Sequence, residues 1–139
     1  MAITTAIPTQ AKQDLLDGVH AAADVYKMAL YTSSASLDST STTYSATNEV
    51  VGTGYSAGGA TLAGRANAAS GTTAFLDFND VSWAAATITA RGCIIYNSSK
   101  SNKILGVFSF GASDISSTNG TFTVQMPNPD AANAIIRLA

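Results

Sequence analysis

Hydrophobic and polar positions repeat with two different periods along this chain. Residues 9–20 carry the helical one: Ala11, Leu15, Leu16 and Val19 recur on one face, with Lys12, Gln13, Asp14 and Asp17 opposite. Thr9 is placed to cap the start, and Gly18 to end or weaken the helix. Three turns or fewer are marginal in isolation, so the apolar stripe must lie against the domain or against a partner.

From residue 25 onward the period is two, as in strands buried on one face. Over 25–32, Tyr26, Met28 and Leu30 fall on one side and Lys27 and Tyr31 on the other. Residues 72–78 alternate less cleanly. Residues 86–97 form the strongest segment: Ile88, Ala90, Ile94 and Tyr96 share one face, and Cys93 and Ile95 make the second face apolar at one end. A strand apolar on both faces is normally covered on both sides. Residues 97–102 have turn composition, so 103–110 should return as the partner of a hairpin. Residues 114–120 read as another turn, Asn119-Gly120 favouring positive backbone angles. Phe122, Val124 and Met126 then point inward until Pro127 and Pro129 stop the strand. Residues 60–63 and 134–138 are further short strands, and 37–43 is a Ser/Thr-rich loop. One short helix and six or seven short strands predict an all-β antiparallel sandwich, with an open barrel as the alternative.

At 139 residues the chain fits one domain, 1–139, in which 1–20 is an N-terminal arm and short helix. Charged residues make up 12%, about half the usual share for soluble proteins, while the apolar share of 46% is ordinary. Charge opposes association, so a sparsely charged skin suggests a surface meant to be covered. A net charge of −2 with seven scattered Lys and Arg leaves no electrostatic footprint for nucleic acid. No apolar run approaches the length of a membrane span, and the N-terminus lacks the basic start and apolar run of a secretory signal. With Cys93 as the lone cysteine, a reducing cytoplasm is the expected setting.

Groups with chemical potential are few. His20 stands alone near the helix end with no nucleophile beside it, and reads as an exposed or helix-terminal histidine. Cys93, inside the best strand, reads as a buried, inert thiol. Glu49 is the only glutamate, so a two-carboxylate pair would need an unidentified Asp. Asp77, Asn79 and Asp80 offer oxygen ligands without the spacing of a calcium loop. Gly52, Gly54, Gly58 and Gly59 superficially suggest a phosphate cradle, but the lysine of a P-loop is missing. Trp83 and the tyrosines can stack on sugars or fill a core. The expectation is a protein with no catalytic, cofactor or metal residues, and spacing alone leaves it a soluble β domain of unknown purpose.

Three stretches carry a more specific signal. They are Thr47-Asn-Glu-Val-Val-Gly-Thr-Gly-Tyr-Ser-Ala-Gly-Gly59, Phe78-Asn-Asp-Val-Ser-Trp-Ala-Ala-Ala-Thr-Ile-Thr-Ala-Arg-Gly-Cys-Ile-Ile-Tyr-Asn97 and Ser116-Ser-Thr-Asn-Gly-Thr-Phe-Thr-Val124. With 25–32, they resemble in matching order a family of small virion proteins of tailed double-stranded DNA bacteriophages, podovirus capsid cement (decoration) proteins being the nearest. The resemblance implies a jelly-roll-like β-sandwich on the outer capsid surface, assembled in the host cytoplasm. Its implied partners are the major capsid protein and a second copy in a homodimer. Other virion roles, at the tail or head-tail junction, form the alternative. A carbohydrate-binding module centred on Trp83 and a small hydrolase using Glu49 stand further off. Expected contact residues are Ile3, Ile7 and Pro8 in the arm, Leu15 and Leu16 on the helix stripe, and Cys93 and Ile95 on the mixed strand face, unless these fold back on the parent sandwich.

Overall fold

The helical pattern near the N-terminus forms a two-turn helix, α1 (Thr9–Leu16), in the computed structural model, which describes residues 2–139. Pro8, not Thr9, occupies the N-cap, and no side chain caps the helix; the Thr9 N–H donates to the Ser39 carbonyl at 2.9 Å. The helix stops at Asp17 because Gly18 takes the left-handed conformation, φ +70°, leaving Val19 and His20 beyond its end. Its buried side is set by Ala11 and Asp14, with Leu15 half-buried. Leu16 lies about 140° round the axis from Ala11 and is 88% exposed, contrary to the expected stripe.

Among the described residues nine strands follow: β1 (Tyr26–Tyr31), β2 (Ala60–Thr61), β3 (Ala66–Ser70), β4 (Thr73–Asp77), β5 (Val81–Ala90), β6 (Gly92–Asn97), β7 (Lys103–Ser109), β8 (Ile115–Val124) and β9 (Ile136–Leu138). They make an all-β, antiparallel, sandwich-like arrangement of a four-stranded sheet, β2-β1-β6-β7, a three-stranded sheet, β3-β4-β9, and the pair β5-β8. The main core lies between the four-stranded sheet and the others. Met28, Leu30, Cys93, Ile95 and Leu105 meet Leu76, Phe78, Trp83, Ile88, Phe122 and Ile136 there.

The opposite face of the four-stranded sheet is also buried. Ala29, Tyr31, Ile94, Tyr96, Ile104 and Val107 are covered by Ile3, Ala35, Leu37 and Tyr44. Two isolated bridges stitch the N-terminal arm down: Ile3 beside Leu37, and Ala6 beside Val107. This double burial accounts for the two apolar faces of β6.

Two sequence expectations fail for topological reasons. Residues 86–97 are not one strand: the chain leaves one sheet at Ala90 and enters the next at Gly92, with Arg91 at the corner bonded to Asp114 at 2.8 Å. The alternation changes phase there, so Ile88 and Ala90 lie in the main core whereas Ile94 and Tyr96 lie in the second. Residues 114–120 are not a turn: they lie within or next to β8, and Asn119 spends its positive φ, 49°, where the β5-β8 register slips.

Candidate functional site

Most residues singled out in the sequence are committed inside the chain. Ile3, Pro8, Cys93 and Ile95 are buried, and Ile7 and Leu15 pack half-buried against the main core, so these six present little free apolar surface. Leu16 alone of the expected contact residues stands clear. Trp83 sits between Tyr55 and Phe122, 7% exposed, with no ring face left for a sugar. Burial pushes the Cys93 thiol up to about 12. The glycine-rich loop is built for close approach: a Cβ on Gly59 would strike the Met28 carbonyl, and one on Gly52 the Thr87 carbonyl. Asp80 accepts from the Met126 N–H at 2.7 Å, while Asn79 fills the space beside Gly64. No group of three or more His, Cys, Asp or Glu side chains converges to hold a metal ion among the described residues.

Glu49 is the centre of a tyrosine cage. Its Oε1 accepts from the Tyr55 hydroxyl at 2.6 Å and the Gly58 N–H at 2.8 Å, and its Oε2 accepts from the Tyr44 hydroxyl at 2.7 Å. Tyr55 in turn accepts the Leu30 N–H at 2.9 Å, Tyr96 donates to the Gly58 carbonyl at 2.7 Å, and Tyr44 stacks on Tyr96 at 4.8 Å. Burial first, and the Glu49 carboxylate second, raise the Tyr31, Tyr44 and Tyr55 hydroxyls above the ordinary tyrosine range. Three donors converge on the carboxylate, two on Oε1 and one on Oε2, so the cage holds the loop spanning 44–59 against β1.

A second polar junction fastens α1 to the β6-β7 hairpin. Asn97 is fully buried; its Oδ1 accepts the Ser99 N–H, which fixes the amide. Its Nδ2 then donates to Asp24 at 2.8 Å and to His20 Nδ1 at 3.1 Å. His20 Nδ1 is therefore an acceptor, and the neutral ring carries its proton on Nε2. That Nε2 faces Asp14 Oδ2 at 4.0 Å, and both atoms are buried without a hydrogen bond. Desolvation lowers the His20 pKa and outweighs the opposing pull of Asp14 and Asp24. Bonds from Asn97 and Lys100 bring Asp24 down to about 2.

One end of the three-stranded sheet is among the surfaces left free. All five residues of β3, Ala-Asn-Ala-Ala-Ser, are exposed and uncharged, and among the described residues β3 pairs only with β4, so its outer edge is open. The sheet face that buries Leu76 and Ile136 continues past the core as Ala69, Ala74 and Leu138. With Leu15 and Arg65 these line a groove of about 450 Å³. The Arg65 guanidinium lies 5.4 Å from the centroid of the Tyr26 ring, and its Nε is buried without a hydrogen bond. β3 lacked a periodic signal because small residues mark neither face; the missing charge was the only available clue.

No protein family, curated protein or solved structure matches this chain.

Proposed function

We propose that this chain is a non-enzymatic capsid cement protein of a tailed double-stranded DNA phage, bound to the outside of the head and bridging neighbouring capsomers. Its partners in this reading are the major capsid protein and a second copy of itself, and it resides in the virion. The three stretches quoted above carry the resemblance. The single structural observation in support is the open, exposed and uncharged β3, since an edge without charge or proline is open to pairing with another chain. Sixteen formal charges spread over 6941 Å² suit close packing of many identical copies, where repulsion would otherwise accumulate. A cement contact repeated over a lattice holds through multivalency, so each junction can be weak.

The test is sedimentation of the purified protein with phage heads that lack it. It should co-sediment with heads, saturate at a fixed ratio to the major capsid protein, and delay release of packaged DNA on heating. Binding to tails alone would favour the tail reading; binding to neither would end the virion assignment.

A further inference from the structure

We propose that the β3 edge and its groove receive an extended segment of another polypeptide, of the pattern apolar, any, polar, any, acidic. The register of the hairpin supplies the first half of the argument. Ser70 and Thr73 close a two-residue turn and form a hydrogen-bonded pair, so Ala68 with Phe75 and Ala66 with Asp77 are bonded pairs as well. Asn67 and Ala69 occupy the intervening non-bonded positions, and their N–H and C=O groups point away from β4. An incoming antiparallel strand opposite these two residues would complete four main-chain bonds. The strand holds no proline and no charge that would discourage it.

The side chains supply the second half. Asn67 pairs with Leu76, whose side chain is buried in the core, so Asn67 and Ala69 present the groove face and Arg65, two positions earlier, lines the same groove. Residues directly opposite one another in an antiparallel pair share a face. The incoming residue opposite Ala69 therefore enters the apolar end formed by Ala74 and Leu138. The residue opposite Asn67 meets an amide. The residue opposite Arg65 meets a guanidinium that lies over the Tyr26 ring and, among the described residues, has no carboxylate partner. An aspartate or glutamate there would provide the missing charge and a planar, bidentate acceptor. This surface and its motif go beyond the cement proposal and hold whatever particle or partner the chain serves.

The probe is an acetylated, amidated peptide, Thr-Val-Thr-Thr-Thr-Glu-Thr, labelled with fluorescein and followed by anisotropy. The expected result is saturable binding with Kd below about 1 mM. The affinity should fall at least tenfold when the central threonine is N-methylated, which leaves the protein untouched. It should fall about fivefold when the peptide glutamate becomes glutamine, and similarly for Arg65→Gln; these fold-changes are the scale of one main-chain bond and one exposed charge-assisted pair. Ala69→Pro removes only an outward N–H and should abolish binding while native thermal unfolding persists. No saturation by 1 mM, or indifference to both N-methylation and Arg65→Gln, overturns the proposal. A dimer that Ala69→Pro dissociates and the peptide fails to displace would also overturn it, by giving the edge to a second copy.

Discussion

Removing the Tyr55 oxygen from the tyrosine cage should cost far more than removing the Tyr31 oxygen from the second core. Tyr55→Phe keeps the ring against Trp83 but deletes the hydroxyl that accepts the Leu30 N–H at 2.9 Å and donates to Glu49 at 2.6 Å. The Leu30 N–H is then buried without a partner, at about 1–3 kcal/mol, and the carboxylate loses one of three donors, each worth about 1.5–3 kcal/mol. Allowing for partial relaxation, the expected loss is about 3 kcal/mol, or roughly 10 °C in Tm for a chain of this size. Tyr31→Phe is the control: its hydroxyl donates only to the neutral Ser45 carbonyl, so about 1 kcal/mol is expected. Equilibrium urea unfolding with unchanged m-values measures both. A double-mutant cycle with Glu49→Gln should show coupling above about 1 kcal/mol. Equal effects of Tyr55→Phe and Tyr31→Phe, or no coupling to Glu49, would refute the claim that the buried carboxylate organises this loop.

Three further outcomes follow from the same geometry. Because the folded-state pKa of His20 is lowered, the unfolded chain takes up its proton first; stability should fall as pH drops below about 6.5 and level off once the folded form is also protonated. His20→Gln should flatten the urea midpoint between pH 7.5 and 5.5, and an unchanged slope would argue against the junction. Gly59→Ala should cost more than about 3 kcal/mol or abolish soluble expression, since φ +77° is strained and the Cβ meets backbone; Gly71→Ala, with φ +60° in open space, should cost about 1 kcal/mol in thermal unfolding. Cys93, its thiol held near 12, should resist Ellman's reagent at pH 8 and react only as fast as the chain unfolds in urea.

The faces turned to the main core were legible in advance: Tyr26, Met28 and Leu30 in β1, and Phe122 in β8, all point into it. The hairpin returning as β7 was equally clear, because turn composition separates two apolar runs. The Glu49 cage was not. Tyr44, Tyr55 and Tyr96 are spread over fifty-odd positions, and nothing local marks them as neighbours of the only glutamate. Nor could the pattern show that Asp14, not Leu16, turns inward, since that choice depends on His20 and Lys103 waiting on other elements.

The order of polar and apolar residues thus determined by itself that this chain is all-β, antiparallel and opened by one short helix, because side-chain period is a property of the local backbone. Only the tertiary structure decided that the N-terminal arm covers the second face of a sheet, that the strand phase changes at Arg91, and that β3 is left as an open edge beside an arginine with no carboxylate partner among the described residues. Those outcomes depend on which distant segments arrive to bury or leave exposed a given surface, and burial between segments far apart in sequence has no periodic trace within any one of them.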